Sequence, residues 1–451
     1  MRKTVLSRRR AGALLPLSCL EGGALGRAGR AFIDWLADAG FSVWQFLPSG
    51  PPGPDGSPYW ARSDSAGNPA LLDRQEMPPP DSEPYREFVE SARDWLDDYV
   101  CFEAISRCEA GRSWWEWPPE LRDRDPRALD RLRVAQAPAI RELETEQFAF
   151  AWQWRRLREY AHSRGVLLFG DVPFYVAPDS METWAHREAF QLDATGRAKA
   201  VAGVPPDYYS QLGQLWGNPL YDWDAMLADG LTFWRARLER QLARLDLVRL
   251  DHFRALAAHW AVPAGAPDAR GGAWVRTPGW VLLRALSNDV DDLRLVAEDL
   301  GLITPDVEDL RQAFGLAGMR VLQFGFDGSA DNPHLPHMHE RNTVVYTGTH
   351  DNDTTVGWYA SLDPDTARRV AFYLRLSRGA MPEALVRAAL ASVGALAVIP
   401  IWDVLGLDSS ARFNTPATTL GNWLWRLPAG SLTPQLARQY RHLNQVYGRA
   451  T

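Results

Sequence analysis

Residues 247–252 read Leu-Val-Arg-Leu-Asp-His, a short apolar run that ends in an acid. One such run does not separate a buried strand from a turn of helix, so its recurrence decides the matter. Seven more apolar runs of similar length occur: Ala11–Leu17, Ser42–Pro48, Val166–Tyr175, Leu293–Glu298, Met319–Phe324, Thr343–Thr349 and Ala395–Trp402. They are nearly continuous apolar stretches rather than alternating ones, the pattern of parallel strands covered on both faces. Segments of helical period separate most of them: Ala31–Ala39, Trp280–Ser287, Pro305–Ala313, Ala367–Leu376 and Pro382–Ser392. Eight strand–helix units predict an α/β fold, a (β/α)8 TIM barrel, in which 247–252 is the fourth strand.

Two connections are too long for simple crossovers. The first spans 60–160, after the second strand, and contains the Trp-rich strings PYREFVESARDWLDDYVCFEAISRC (84–108) and EQFAFAWQWRRLREYA (146–161). The second spans 177–245, after the third strand, and is rich in Pro, Gly, Tyr and Trp. Both are expected to be largely helical insertions on the C-terminal, catalytic face of a single barrel running 1–451, where they form cleft walls.

Composition narrows the function. The 451 residues carry a net charge of −7 with 23% charged and 46% apolar residues, which argues for a globular chain with no nucleic-acid or membrane partner. Cys19, Cys101 and Cys108 form no CxxC pair and read as buried small hydrophobes of a protein in a reducing cytoplasm. Arg2, Lys3 and Arg8–Arg10 before Ala11–Leu17 imitate a secretory signal, but Pro16 interrupts the apolar part, and the segment reads better as the first strand. The longest uncharged apolar-rich stretch elsewhere, Ala388–Trp402, is too short to cross a bilayer. His334, His337 and His339 lie close together, yet Pro336 disrupts regular spacing, so a solvated loop and no metal are expected. Twenty tryptophans allow two readings, a core full of aromatic anchors or a cleft of ring faces that stack on sugars.

Barrel enzymes react at the C-terminal ends of their strands. Four strands end in acid there: Asp171 in GDVPFY, Asp251 in VRLDHF, Glu298 in VAEDLG and Asp351 in YTGTHDND. Carboxylates converging on one mouth raise each other's cost, which marks them as functional. They suit either a metal site or cleavage of a glycosidic bond by a nucleophile and a general acid. Arg249, two residues before Asp251 and on the same strand face, favours the second by orienting Asp251 as a nucleophile. Glu298 beside that negative charge is then placed to stay protonated as the acid.

The strings VRLDHFRA, VAEDLG, YTGTHDNDTTVGW, GDVPFYVAPDS, GVPPDYYSQLGQLWGNPLY and DVLGLDSSARFNTP together resemble the 4-α-glucanotransferases, the amylomaltases of glycoside hydrolase family 77. The similarity runs from about Arg9 to Arg426, with the motifs in the family's order. The resemblance implies that Asp251 is the nucleophile, Glu298 the general acid/base and Asp351 the carboxylate that holds the 2- and 3-hydroxyls of the transferred sugar. It implies further that Arg249 and His252 flank the nucleophile, that His350 and Asn352 contact the same sugar, and that Tyr59 stacks beneath it. Tyr208, Tyr209 and Trp216 fall in a loop that covers the cleft in relatives. Asp171 suits either sugar contact or a supporting hydrogen bond.

The implied reaction needs no cofactor. It moves a segment of an α-1,4-glucan donor onto the 4-hydroxyl of a glucose or glucan acceptor, in a monomer or weak homo-oligomer. A hydrolase on the same barrel and a non-catalytic glucan-binding protein are the rival readings. The chain departs from the family pattern in two places where a glycine is usual, Ala255 after HFR and Ala417 after NTP. Each matters if its backbone takes a positive φ.

Overall fold

The computed structural model describes residues 5–206, 210–289, 293–376, 380–418 and 420–450. Twelve strands follow in chain order: β1 (Arg10–Leu14), β2 (Val43–Gln45), β3 (Leu167–Val172), β4 (Ala200–Val204), β5 (Gln214–Pro219), β6 (Leu247–Leu250), β7 (Ala258–Pro263), β8 (Ala273–Arg276), β9 (Leu295–Ala297), β10 (Gly318–Val321), β11 (Thr343–Tyr346) and β12 (Leu396–Pro400). Eight of them form one parallel sheet in the order β10-β11-β12-β1-β2-β3-β6-β9. A parallel bridge between Val296 and Ala317 joins its two ends, with the Ala297 amide donating to the Ala317 carbonyl at 2.8 Å. The sheet is thus a closed (β/α)8 barrel, and each expected apolar run supplies one of its strands.

The strands are buried because the barrel interior covers one face and the helices the other. β12, Leu-Ala-Val-Ile-Pro, is buried at every position, and so are β2, β6, β9 and β11. Helices Arg27–Asp38, Ala137–Ser163, Thr232–Arg244, Gly279–Asp289 and Pro305–Ala313 precede their strands on the outside. Helix Pro434–Val446 follows β12 and docks on the first of these, where Asn444 Nδ2 donates to the Ala39 carbonyl at 3.0 Å. Residues 11–14, within the signal-like stretch, are part of β1.

The 60–160 connection folds as helices Glu83–Ser91, Arg93–Cys108 and Pro126–Ala135 against the first half of Ala137–Ser163. They enclose a second apolar core around Leu96, Phe102, Ile105, Trp114 and Trp184. The 177–245 connection differs from the helical expectation in part. Besides its short helices it contributes β4 and β5 to a four-stranded antiparallel sheet, order β5-β4-β7-β8. β7 and β8 leave the barrel after β6, where the sequence reading placed no strands. Their runs are short and β8 is exposed at all four positions, so burial leaves no apolar pattern to read.

Other expectations change. Cys19 and Cys101 are buried, but Cys108 is exposed, at the end of its helix and on the face away from the core. His334 and His339 are not in a solvated loop: His334 Nδ1 accepts from the Val321 amide, and His339 bonds Ser392 Oγ at 2.8 Å. Their ring nitrogens lock the loop to the barrel, and no cluster of three or more metal-ligating side chains occurs among the described residues. No helix among them is long and apolar enough to cross a membrane.

The two alanines at glycine positions separate. Ala255 lies in the 3-10 helix Phe253–Leu256, a right-handed conformation any residue adopts. Ala417 has φ +63°, following Pro416 in a turn closed by the Thr418 amide on the Thr415 carbonyl. That arrangement, Pro then a left-handed residue, is the type II turn that favours glycine. Ala417 is exposed, so no packing offsets the strain. The Ala417→Gly variant is expected to gain about 0.5–1 kcal/mol, read as an increase in urea midpoint at unchanged m.

Candidate active site

The strand ends deliver four acids to one mouth, and a single arginine organises two of them. Arg249 is on β6, paired in register with Asp171 of β3. Its guanidinium donates from Nη1 to Asp171 Oδ2 at 2.6 Å and reaches Asp251 Oδ1 from Nη2 at 2.8 Å. The Arg249 side chain is 6% exposed and that of Asp171 fully buried, so neither charge has much water to fall back on. Burial pushes the Asp171 carboxyl upward, while the guanidinium at its oxygen pulls the other way.

Asp171 also joins the second strand's loop to the seventh's. Tyr59 donates its hydroxyl proton to Asp171 Oδ2 at 2.7 Å. With that proton committed, the hydroxyl accepts from His350 Nε2 at 2.9 Å, which assigns the imidazole its Nε2–H tautomer. The two rings stack with centroids 5.3 Å apart and planes 16° from parallel. Burial lowers the His350 pKa, consistent with a neutral ring. A continuous chain therefore runs His350, Tyr59, Asp171, Arg249, Asp251.

Glu298 follows β9, beside Asp251, and its carboxylate is held by backbone. Oε2 accepts from the His252 amide at 2.8 Å and Oε1 from the Leu300 amide at 3.0 Å. Burial pushes its pKa up to about 8; the Asp251 charge adds to the rise and Arg249 opposes it. His252 reaches Glu298 because its backbone is left-handed, φ +49°, an uncommon state for a residue with a Cβ. Its ring packs edge-on against Trp216 at 4.7 Å, near Tyr175 at 6.2 Å. Burial pushes the imidazole down to about 4, and Nε2 is buried with no protein partner among the described residues.

Asp351 follows β11, and its side chain is 42% exposed to the cleft. Asn414 Nδ2 donates to its Oδ1 at 2.6 Å, and His350 Nε2 lies 3.3 Å from its Oδ2. Arg412 donates to the Asp351 carbonyl at 3.1 Å. Asn352 is occupied locally: its side-chain oxygen accepts from the Thr349 amide and hydroxyl, each at 2.9 Å. Tyr208 and Tyr209 lie outside the described residues. The other predicted positions, Tyr59, Asp171, Arg249, Asp251, His252, Trp216, Glu298, His350 and Asp351, gather at the barrel mouth.

Three neighbours were missed. Arg412 and Asn414 stand in the string DVLGLDSSARFNTP, but nothing in their spacing links them to a strand-end acid. Trp423 sits 6.2 Å from the Tyr59 ring and 6.4 Å from that of His350, on a left-handed backbone with φ +66°.

The 4-alpha-glucanotransferase family model matches residues 17–84 and 73–433, nearly the whole chain. The chain belongs to this family. It is 40% identical to the 4-alpha-glucanotransferase of Thermus thermophilus over 96% of this chain and 98% of the relative. It is 41% identical to the chloroplast/amyloplast 4-alpha-glucanotransferase of Oryza sativa subsp. japonica, covering 98% of this chain and 84% of that protein. Among solved structures, the amylomaltase from Streptococcus agalactiae in complex with acarbose superposes with a TM-score of 0.93 at 29% identity, over 98% of this chain and all of that one. The amylomaltase from Corynebacterium glutamicum shares the fold at TM-score 0.78 and 18% identity, over 98% of this chain and 76% of that one.

Within this 4-alpha-glucanotransferase frame the bridging arginine is open to direct test. Lysine offers one compact charge and lacks the two separate nitrogens with which the guanidinium meets Asp171 and Asp251. Arg249→Lys is expected to lose about 3 kcal/mol or more of stability, the scale set by leaving a buried carboxylate unpaired. Chemical denaturation measures that loss, and retained stability would mean that the bridge contributes little.

Proposed function

We propose that this 4-α-glucanotransferase works by a retaining double displacement in which Asp251 attacks and Glu298 shuttles the proton. The observation that carries the reading is the contrast between the two neighbouring carboxyls. Asp251 faces a guanidinium that orients it toward the cleft, whereas Glu298 rests on two backbone amides and is pushed up to about 8 by loss of water around it. Two carboxyls with environments driven apart are how one site supplies both a nucleophile and an acid.

In the first half-reaction Asp251 Oδ attacks the anomeric carbon of an α-1,4-glucan. Glu298 gives its proton to the departing 4-oxygen, leaving a β-linked glycosyl-enzyme. In the second, the Glu298 carboxylate takes the proton of an acceptor's 4-hydroxyl. That oxygen attacks the anomeric carbon from the face opposite Asp251 and expels its carboxylate, restoring an α-1,4 bond. Asp351, aligned by Asn414 and His350, holds the sugar's 2- and 3-hydroxyls, with Tyr59 and Trp423 as ring faces nearby. Asp171 supports Arg249 and Tyr59 from below. The helices of 60–160 and the segment 177–245 serve as cleft walls of one catalytic barrel, and Trp216 on β5 helps to keep water from the intermediate.

Maltotriose as sole substrate tests the reading, with products followed by chromatography. Glucose together with maltopentaose and longer chains, at nearly constant reducing ends, is expected. Rising reducing ends with glucose and maltose alone would make the chain a hydrolase. Asp251→Asn should lower transfer by at least about 10⁴-fold, the scale of removing a covalent nucleophile, and undiminished transfer by it would sink the mechanism.

The pH dependence has a defined sign. Glu298 must carry its proton for the first half-reaction, and it does so below its raised pKa. Glycosyl-enzyme formation should therefore fall as pH rises through about 8, a basic limb that Glu298→Gln removes along with most of the activity.

A further inference from the structure

The segment from the end of β11 to helix Thr355–Ser361 carries His350 and Asp351, and both its ends converge on one buried carboxylate. Asp403 stands in the short helix Ile401–Val404 that follows β12, and it is 1% exposed. Its Oδ2 accepts from Thr347 Oγ1 and from Thr355 Oγ1, each at 2.6 Å, and its Oδ1 accepts from the Thr355 amide at 2.7 Å. Thr347 and Thr355 are fully buried. All three donors point at this one carboxyl at 2.6–2.7 Å, short for such bonds; burial pushes its pKa upward and these donors oppose the rise.

The stretch between the two anchor points is braced by separate contacts. Gln323 Nε2 donates to the Asp353 carbonyl at 3.0 Å, and Ser409 Oγ to Asp353 Oδ2 at 2.7 Å. Asn352 closes the turn at Thr349, as above. These contacts, with Tyr59 at His350 and Asn414 at Asp351, hold the middle of the stretch, and the two threonine anchors on Asp403 hold its ends. We propose that Asp403, through Thr347 and Thr355, is a positioning residue that fixes Asp351 and His350 at the reaction site from the eighth strand. It touches no sugar itself. The proposal rests on the reading of Asp351 as a group that holds the transferred sugar.

The test uses Thr347→Val and Thr355→Val, which remove a hydroxyl at nearly constant volume, with Asp403→Asn and the conservative Thr355→Ser. Maltotriose turnover and thermal melts are measured on each. The expected result is a fall of kcat by about 10-fold or more in Thr355→Val and Asp403→Asn, because displacing a reacting group by about 1 Å costs on the order of 10²-fold. KM stays within about twofold, the mark of an interaction felt in the transition state, and Thr355→Ser recovers the rate lost by Thr355→Val. Should Asp403→Asn fail to fold, the two valine variants carry the test alone. Wild-type kcat in the folded variants, or equal rates for Thr355→Val and Thr355→Ser, overturns the proposal. Asp351→Asn separates the two readings: if it is inactive while Thr355→Val runs at full rate, the clamp alone falls. Full activity in Asp351→Asn overturns the role of Asp351 and the clamp with it.

Discussion

Arg249 lies between two carboxylates that could not share the barrel mouth without it. Asp171 below is fully buried and has no water to screen its repulsion with Asp251 beside it. The guanidinium meets both at once with separate nitrogens, a geometry that its planar fork provides. The remaining contacts build on that bridge. Tyr59 is held upright because Asp171 stays available as an acceptor, and His350 is held because the Tyr59 oxygen is then free to accept. Glu298, in contrast, has no cation within hydrogen-bond reach among the described residues and rests on two backbone amides. The difference in environment between Asp251 and Glu298 follows from which of them the arginine reaches.

The barrel was legible because all eight of its strands are covered on both sides, which turns burial into uninterrupted apolar text. Val-Val in β11 and Leu-Ala-Val-Ile in β12 are examples. The same rule explains the failure at β7 and β8. A sheet with one wet face and a fully exposed edge strand writes no such run, and the Trp260–Trp274 pair across it looks like any scattered aromatic. Strand-end acids were readable from position, since a barrel places its chemistry there. Asn414 and Trp423 were not, because they arrive on a loop beyond the last strand and act through contacts that no periodicity encodes. The left-handed backbone of His252 was equally hidden: nothing in its side chain announces that its amide must turn toward Glu298.

The tryptophans resolve mostly toward structure. Trp44, Trp114, Trp184, Trp234 and Trp402 are among the largest fully buried side chains, and their rings pack against other aromatics, mostly edge-on or tilted, with Trp402 also stacked on Phe413. Their indole nitrogens are met where the backbone offers carbonyls, as for Trp44 on Leu15 and Trp114 on Pro178. Trp216 and Trp423 are the exceptions that face the mouth, each beside a histidine of the site. Abundance therefore reports mainly the size of two aromatic cores, and location alone singles out the few rings near the chemistry.

The hydrogen-bonded chain that links Tyr59, Asp171, Arg249 and His350 and ends near Asn414 also has a history in time. About 355 residues separate Tyr59 from Asn414, so a ribosome adding 5–20 residues per second spends roughly 20–70 s between them. During that interval Asp171 and Arg249 can meet as soon as β6 joins β3, while Asp351 still lacks the amide that aligns it. The barrel likewise has an open edge until β12 seats between β1 and β11. A nascent chain thus carries its strand-end carboxylates well before it can orient them all, and the mouth is complete only with the final strand and the loop behind it.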